Sequence, residues 1–340
     1  MEKNEAMKIA ALGYYGFGNL GDEAVLAGIR TALTERFPAA QLLVLTADSM
    51  ATTALHPGVG TANRWRWKET VRALSGTDLF VFGGGSLLQD VTSGRSVLWY
   101  ALMALIARRK ARRVLWWGQG IGPLSHPLSR KVVRLIAQQA DGLTVRDIKS
   151  AALLKEIGVT RSIEVVADPA FALDPIAVTK PSGTLVALRR WPGVSPETLA
   201  HAVPGATALP MHLPDDLEAH GKLPCYNWQL EGASVAEVLG KVAVAEQVVA
   251  MRLHALIFAA RCATPFVALS YDPKVDALAQ ATGQEDALLD AVQATPESLR
   301  AAIARVRENA PQRRAQLHAF AQAERSRARR PGELALEWFR

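Results

Sequence analysis

The sequence predicts an α/β protein made of two Rossmann-like, doubly wound domains. Short apolar runs alternate with helical patterns in the first half, and the same alternation starts again in the second half. Between them, residues 173–183 are rich in proline and lack periodicity, which predicts a linker. Because 49% of the 340 residues are hydrophobic, the chain can bury two cores. We therefore expect two parallel sheets that face a cleft, with ligands at the carboxyl ends of the strands.

In the first half, each predicted strand is a short apolar run that ends in a loop rich in Gly, Ser or Asp. The strands are Ile9–Gly13, Leu42–Thr46, Leu79–Phe82, Val114–Trp117, Gly142–Val145 and Ile163–Val166. Helical spacing predicts helices near Glu23–Glu35, Ser86–Arg108, Leu128–Ala140 and Ile148–Ile157. We assign residues 1–172 to an N-terminal domain that carries the glycine loops.

The second half repeats this pattern after the linker. The predicted strands are Leu185–Leu188, Ala206–Pro210, Val248–Val249 and Phe266–Leu269, and the predicted helices are Val235–Ala245 and Leu253–Arg261. Residues 184–325 form the C-terminal domain, and residues 326–340 a helical tail rich in Ala and Arg.

Charge and composition limit the partners and the location. The net charge of +7 and the pI of about 9.6 favour anionic ligands. No zinc-finger spacing or aromatic RNA-binding motif is present, so we do not expect nucleic acid. The two cysteines have no metal-ligand spacing. The N-terminus is charged, and the longest apolar stretch has about 12 residues where a membrane span needs about 20. We expect a cytoplasmic protein.

The first glycine loop has the Gly16-x-Gly18-x-x-Gly21 spacing of a dinucleotide-binding turn. Asp22 and Glu23 follow at once, and carboxylates at a helix start would repel a pyrophosphate. Three interpretations stay open. The loop binds NAD, with Asp48 on the ribose; Asp22 is a helix cap; or an acid here faces a hydroxylated substrate.

Two further glycine loops follow later strands. FGGGSLLQD contains Gly84, Gly85 and Ser86, where Ser86 is expected to cap a helix that carries Asp90 on the same face. WWGQGIGPL has Gln119 at the centre of a predicted turn. Tight-turn packing is the alternative for both loops.

Four cationic side chains follow strands in a way that predicts an anion site. Arg146 comes directly after one strand, and Arg252 and His254 occupy a strand-to-helix junction where Ser, Asp or Gly would be more usual. Lys274 follows the next strand. We expect these groups to surround one small, multiply charged anion. The alternative is that Arg252 pairs with an acid and His254 is a half-buried, hydrogen-bonded histidine.

Seven motifs together resemble the CsaB-type polysaccharide pyruvyl transferases. They are GYYGFGNLGDEAVL, FGGGSLLQD, WWGQGIGPL, TVRD, VADPAF, MRLHALIFA and SYDPKV. The resemblance runs from about residue 7 to 276 and implies a GT-B-like fold, phosphoenolpyruvate as co-substrate and a cyclic pyruvyl ketal as product. It assigns donor binding to Arg146, Arg252, Leu253, His254 and Lys274 and places Asp90 near the donor. Residues 192–229 match no motif that we can place.

The expected reaction needs an acid and a base but no cofactor and no metal. We expect His254, or Lys274 as second choice, to protonate the donor, and Asp22 or Asp90 to deprotonate a sugar hydroxyl. We assign the acceptor to loop residues Gly16, Gly18, Asn19, Gly84, Gly85, Ser86 and Gln119.

The resemblance also implies a lipid-linked acceptor. This is the N-acetylmannosamine of an undecaprenyl-diphosphate disaccharide, a precursor of the secondary cell-wall polysaccharide that anchors S-layers. We expect the stretch RWRWK, residues 64–68, to contact anionic lipid at the inner membrane face. An ordinary exposed helix edge is the alternative.

Two other functions remain open on the sequence alone. A glycosyltransferase that uses a nucleotide sugar would want a ribose-binding acid and often a Glu in the second domain, but the segment after His254 is apolar. A non-catalytic module that binds phosphate or sugar would bind ligand without releasing phosphate.

Overall fold

In a computed structural model, which describes residues 6–91, 94–174 and 182–339, the chain divides into two compact units. Unit 1 takes in the chain up to Phe17, Asp22–Ala172 and the C-terminal segment from Glu324. Unit 2 takes in Gly18–Gly21 and Leu173–Ala323. Most of the predicted linker, residues 175–181, lies outside the described residues.

Unit 1 is built on a parallel sheet with crossover helices. Its strands are β1 (Lys8–Leu12), β2 (Gln41–Thr46), β3 (Gly60–Asn63), β4 (Leu79–Phe82), β5 (Gly85–Leu88), β6 (Arg113–Ile121), β7 (Gly142–Val145) and β8 (Glu164–Val165). The strand order is β3-β2-β1-β4-β6-β7-β8, and β5 pairs with β6 off this path. The helices are α1 (Leu20–Arg36), α2 (Ser49–Leu55), α3 (Trp67–Leu74), α4 (Gly94–Lys110), α5 (Pro127–Gln138) and α6 (Ile148–Glu156).

The strands of this sheet are apolar on both sides because helices cover both faces. Phe80 and Phe82 of β4 join one buried cluster with side chains of α4 and α5. Val81, between them, joins the cluster on the other face with side chains of α1. This two-sided burial explains why LFVF reads as a continuous apolar run.

Unit 2 contains a smaller parallel sheet. Its strands are β9 (Thr184–Ala187), β10 (Thr207–Ala208), β11 (Gln247–Ala250), β12 (Phe266–Ser270) and β13 (Leu288–Asp290), in the order β10-β9-β11-β12-β13. The helices are α7 (Pro196–His201), α8 (Val235–Ala243), α9 (Leu253–Arg261), α10 (Pro273–Ala281) and α11 (Pro296–Glu308). Helix α12 (Ala310–Phe339) begins in unit 2, and its part from Glu324 onwards belongs to unit 1. Across the described ranges, every helix is too short or too polar to cross a bilayer.

The predicted fold class is confirmed, since both units are α/β with parallel sheets. The helix expected over Ser86–Arg108 is wrong at its start. Residues Gly85–Leu88 form β5, which pairs with β6, and helix α4 begins only at Gly94. Ser86 therefore caps no helix, because an adjacent strand edge competes for its backbone hydrogen bonds.

Candidate active site

The first glycine loop, residues 13–21, folds around the carboxylate of Glu23. Gly16 has a φ of +78°, and a Cβ there would lie 2.2 Å from Thr46 Oγ1, so the position needs glycine. The Gly16 amide donates to Glu23 Oε1 at 2.8 Å. Glu23 Oε2 lies 2.9 Å from His56 Nε2, and both side chains are buried. The loop amide that a dinucleotide phosphate would need is thus bound to the protein's own carboxylate.

Asp48, the residue expected on a ribose in the NAD interpretation, has a structural role. Its side chain caps α2, where Oδ1 accepts from the Ala51 amide at 3.0 Å. Together with the Glu23 contact, this cap argues against dinucleotide binding at the first loop.

The second half of this loop, Gly18–Gly21, belongs to unit 2. A Cβ on Gly18 would lie 2.6 Å from the Leu213 carbonyl oxygen. Leu20 donates its amide to the Met211 carbonyl at 2.8 Å, and Asn19 Oδ1 accepts from the Gly21 amide at 3.1 Å. The loop thus packs on residues 211–213, inside the region where the sequence showed no motif. An acceptor role for Gly18 and Asn19 stays a prediction.

Arg64 is buried, which corrects the expectation that all of RWRWK faces lipid. Its Nη1 donates to the Gly13 carbonyl at 2.6 Å. The guanidinium lies 4.1 Å from the Trp99 ring centre and 5.3 Å from that of Phe17. Aromatic rings and the Gly13 carbonyl stabilise the buried guanidinium. Because Gly13 begins the first glycine loop, the Arg64 hydrogen bond also holds this loop in place. The residues on its C-terminal side, 65–68, are exposed.

Asp22 lies against the second glycine loop. Gly85 has a φ of +93°, and a Cβ there would lie 2.7 Å from Asp22 Oδ1; Gly84 is buried next to it. The Asp22 side chain is itself 8% exposed. Burial raises the pKa of the Tyr15 hydroxyl well above its ordinary value, and the charges of Asp22 and Glu23 raise it further. The structure thus places the Asp22 carboxylate next to the GGGS loop. This position is compatible with the interpretation that Asp22 faces a hydroxylated substrate.

Asp90 binds backbone amides and does not lie on a helix. Its two oxygens accept from the amides of Ser125 and His126 at 2.8 and 2.9 Å. Burial raises the pKa of the Asp90 carboxyl, but these amides and the Ser129 hydroxyl outweigh it, and the pKa lies below its ordinary value. A carboxylate so stabilised is a weak base. The catalytic role predicted for Asp90 stays a prediction.

Gln119 lies within β6, so the expected turn centred on it is wrong. The strand continues to Ile121 because it pairs with β5 on one side and β7 on the other. The buried Gln119 amide donates to the carbonyls of Phe82 (2.9 Å) and Gly83. It therefore fixes the backbone at the start of the second glycine loop.

Arg146 is held in unit 1 by two polar side chains. Nη1 contacts Asp168 Oδ2 at 3.0 Å, and Nη2 donates to Ser86 Oγ at 2.9 Å. The Arg146 side chain is 8% exposed and that of Asp168 is 6% exposed. Asp168 lies within the motif VADPAF, but the sequence analysis assigned no role to it. It could have been found from its position, because it is an acid shortly after strand β8, as Arg146 comes directly after β7.

Arg252 precedes α9 in unit 2 and is bound by an acid that the sequence did not point to. Nε of Arg252 contacts Asp216 Oδ2 at 2.9 Å, and Nη2 contacts Oδ1. Asp216 is 1% exposed, and its Oδ2 also accepts from the amides of Met211 and His212. The alternative that Arg252 pairs with an acid is thus realised. A bidentate pair of this kind also fixes the plane of the guanidinium.

His220 connects this ion pair to the neighbouring strand. Its Nε2 accepts from the Leu188 amide at 2.9 Å, and its Nδ1 lies 2.8 Å from the Asp216 carbonyl oxygen. These partners make Nδ1 the protonated nitrogen. Burial lowers the pKa of the His220 imidazole, which favours the neutral ring.

His254 and Lys274 begin two adjacent helices of unit 2. His254 is the second residue of α9, after Leu253, and a Cβ on Gly21 would lie 2.3 Å from its Nδ1. Lys274 is the second residue of α10 and donates its amide to the cap residue Asp272 at 2.9 Å. Because β11 and β12 are neighbours and precede these helices, Arg252, His254 and Lys274 share one edge of the sheet.

Arg189 is a further cation at this edge, and sequence reasoning missed it. It follows β9, the other neighbour of β11. Its guanidinium lies 5.2 Å from the ring centres of both Trp191 and Tyr271, and Nη1 donates to the Tyr271 hydroxyl at 3.2 Å. The signal was the same as for Arg252, a basic residue directly after an apolar strand.

The carboxyl edges of the two sheets carry different charged groups. In unit 1, Asp22 and Glu23 lie beside glycine loops and Arg146 pairs with Asp168, whereas in unit 2 Arg189, Arg252 and Lys274 follow three adjacent strands. Within residues 6–91, 94–174 and 182–339, His, Cys, Asp and Glu form no group of three or more that could hold a metal ion. The carboxyl ends of parallel strands are where α/β proteins bind their ligands.

Comparisons with known proteins identify the family. The family model described as "Polysaccharide pyruvyl transferase" matches residues 19–273, which is most of the chain. The protein therefore belongs to the polysaccharide pyruvyl transferase family and is a transferase. A search of curated proteins gave no match.

Solved structures similar to this chain share its fold. UDP-GlcNAc 2-epimerase from Neisseria meningitidis, bound to UDP-GlcNAc, has 11% identity and a TM-score of 0.61, covering 97% of this chain and 100% of the other. Anabaena Alr3699/HepE in complex with UDP and glucose has 16% identity and a TM-score of 0.59, covering 98% and 99%. At this identity the likeness shows the fold alone, two Rossmann-like domains of the GT-B-like kind.

Proposed function

We propose that the protein transfers the pyruvyl group of phosphoenolpyruvate to a sugar as a cyclic ketal and releases phosphate, in the manner of the CsaB-type enzymes. The observation that carries this proposal is the cationic edge of unit 2, where Arg189, Arg252 and Lys274 follow adjacent strands. Phosphoenolpyruvate carries a carboxylate and a phosphate, and its charge complements this edge. It serves as a co-substrate.

In this proposal, Arg252 and Lys274 bind the two anionic groups of the donor. Asp216 holds the Nε and Nη2 edge of Arg252 and so orients the guanidinium before the ligand arrives. Lys274 acts as a point charge on phosphate. The resemblance adds Arg146 of unit 1 as a donor ligand, oriented by Asp168.

The reaction begins with proton transfer from His254 to the methylene carbon of the donor, which leaves an oxocarbenium-like centre at the carbon that bears the phosphate ester. Asp22 takes the proton of one sugar hydroxyl as its oxygen bonds to that carbon. A second hydroxyl of the same sugar then bonds to the carbon while the bond to phosphate breaks. Its proton leaves with the phosphate, Asp22 releases its proton to solvent, and the imidazole takes up a proton from solvent. The sum is one donor and one diol giving one ketal and one phosphate.

We propose the N-acetylmannosamine of an undecaprenyl-diphosphate disaccharide as the acceptor. The first two glycine loops carry all the residues assigned to it except Gln119, and Asp22 is the acid that lies against the second of them. Hydroxyl groups suit this acidic, glycine-lined edge better than a phosphate would.

Phosphate release tests the proposal directly. The protein is incubated with phosphoenolpyruvate and either the lipid-linked disaccharide ending in N-acetylmannosamine or its N-acetylglucosamine epimer. We expect phosphate, and a product heavier by the pyruvyl ketal, with the first acceptor. Absence of phosphate release with every sugar acceptor tried would contradict the proposed transfer.

Thermal unfolding with each donor separates the alternatives. Phosphoenolpyruvate at a hundredfold excess over its Kd should stabilise the protein by roughly 2.7 kcal/mol. Stabilisation without phosphate release would indicate a binding module. Stabilisation by UDP-sugars, but not by phosphoenolpyruvate, would indicate a nucleotide-sugar glycosyltransferase.

A further inference from the structure

Three neighbouring helices on one face of the unit 1 sheet are strongly basic. Helix α4 packs against both α3 and α5, and the buried sides of all three helices join the same core cluster. Within these helices, all of which the structure describes, nine residues are Lys or Arg and one, Glu69, is acidic. A surface of this composition repels basic partners and attracts anionic ones.

The outer side of α4 carries an apolar stripe with a cation at each end. Arg95, Leu98, Leu102 and Arg109 follow one another at intervals of three, four and seven residues and so share one face of the helix. Leu98 is 43% exposed and Leu102 is 46% exposed. Because these two leucines are exposed on the outer face of α4, they do not contribute to the buried core.

The flanking elements extend this stripe on both sides. Trp65, just before α3, is 60% exposed, and Trp67, at its start, is 54% exposed. Leu128 and Leu135, seven residues apart on α5, are also exposed. We call the outer sides of residues 65–74, α4 and α5 the basic apolar face.

We propose that the basic apolar face docks on an anionic lipid bilayer. Trp and Leu side chains enter the headgroup and acyl boundary, while Lys and Arg stay at the level of the phosphates. Arg108 and Arg130 form ion pairs with Asp141 and Glu156, which lie outside these helices. The face keeps an excess of positive charge, which favours this occupant over a protein surface of mixed charge. The proposal rests on the surface alone and does not require the donor to be phosphoenolpyruvate.

A chain of aromatic rings joins this face to the first glycine loop. Tyr14 and Phe17 of the loop are stacked at 4.1 Å, and the Phe17 ring lies 6.3 Å from that of Trp65. Trp65 in turn lies 5.6 Å from Trp99 of α4. A bilayer on this face would lie next to the loop to which we assign the acceptor, which suits a lipid-linked sugar.

Vesicle sedimentation of the full chain tests the docking. We expect binding to vesicles of equimolar phosphatidylglycerol and phosphatidylcholine at low salt, little binding to phosphatidylcholine alone, and weaker binding at high salt. Leu98→Gln with Leu102→Gln should weaken binding at least about tenfold. Arg95→Gln with Arg109→Gln should weaken it about 25-fold, at about fivefold for each cation lost.

Matched variants on unit 2 provide the controls. Leu230→Gln with Val292→Gln removes two exposed apolar side chains, and Arg300→Gln with Arg307→Gln removes two exposed cations. Both should bind vesicles like the original protein. Equal loss in the controls, or no binding to anionic vesicles at low salt, would overturn the proposal.

Phosphate release with a water-soluble acceptor separates this proposal from the proposed reaction. Variants of the basic apolar face should keep that activity while losing vesicle binding. Vesicle binding by a protein that releases no phosphate would leave the docking proposal standing and contradict the reaction.

Discussion

Helices α1 and α9 both follow a strand of a parallel sheet, yet their first turns carry opposite charges. Helix α1 has Asp22 and Glu23 in its first turn, whereas α9 begins with Arg252 as its cap and His254 in its first turn. In α1, Glu23 already binds the loop amide of Gly16. In α9, the Arg252 cap residue makes no side-chain hydrogen bond to the helix amides.

The difference shows that charge, more than glycine spacing, decides which loop suits an anion. Free amides at a helix start favour a negative ligand, but a carboxylate of the chain can take that place first. The spacing in front of α1 therefore matches that of a dinucleotide loop, but the Gly16 amide of this loop is bound by Glu23. The cationic start of α9 lacks the glycine signature, and it is where we propose that the donor binds.

The largest effect is expected at the start of α9, where we propose that His254 is the proton donor. His254→Ala should lower phosphate release about 10²- to 10⁴-fold, because the proton donor is lost, while stabilisation by phosphoenolpyruvate persists through Arg252. Initial rates with donor and acceptor measure this. His201→Ala, on the exposed surface of α7, should keep full activity. Full activity in His254→Ala would remove His254 as the acid.

The next effect concerns the ion pair beneath α9. Arg252→Met should reduce the free energy of unfolding by about 3–5 kcal/mol, because Asp216 stays buried without its cation, and should abolish stabilisation by phosphoenolpyruvate. Denaturant unfolding with and without donor measures both. Adding Asp216→Asn should recover part of the stability but not the donor effect. Recovery of both would mean that Arg252 only stabilises the fold.

A smaller effect tests the acidic start of α1. Glu23→Gln should cost about 1–3 kcal/mol, because the buried contact with His56 loses its charge, and NAD should still fail to stabilise the protein. Glu35→Gln, at a partly exposed position on the same helix, should cost less than about 1 kcal/mol. Stabilisation of the Glu23 variant by NAD would show that one carboxylate alone had masked a dinucleotide site.

The smallest effect is a pH dependence from the histidine behind Arg252. Burial lowers the pKa of His220 in the folded state. The neutral imidazole therefore contributes to the free energy of unfolding at pH values above about 6.5, the pKa of histidine in the unfolded chain. This contribution is lost as the pH falls below that value. The slope of the free energy of unfolding against pH should be at most roughly 1.4 kcal/mol per pH unit, the limit for a single titrating group. His220→Gln should flatten it in unfolding curves taken across this range, whereas exposed His318→Gln should leave it unchanged. An unaltered slope in His220→Gln would place the titration elsewhere.

A strand could be predicted from the sequence where its own residues form a short, clearly bounded apolar run. β7 and β4 were predicted at their observed bounds, because GLTV and LFVF are short apolar runs closed by polar or glycine residues. β3 was missed because GTAN has little apolar character. β5 was taken for a helix because its serine and leucines also suit a helix start, and only pairing with β6 makes it a strand.

The candidate site was predictable to a similar extent. The residues named from strand ends, Arg252, His254 and Lys274, lie at the carboxyl edge of the unit 2 sheet. Asp216 was not predicted, because it lies 36 residues from Arg252 in a segment without a motif. Asp90 was predicted from its spacing of four residues from Ser86 on a helix. Ser86 lies in strand β5 and Asp90 follows that strand, so the two residues share no helix face.

The sequence by itself determined the α/β class, the family and the strand ends that carry charge, because hydrophobic periodicity and short motifs are local properties. Only the tertiary structure decided which partner each charge has. Glu23 occupies the loop amide, Asp216 orients Arg252, and Arg64 is buried among aromatic rings while the residues that follow it stay exposed. These pairings depend on distances between segments far apart in the chain, and burial then sets how strongly each charge needs its partner.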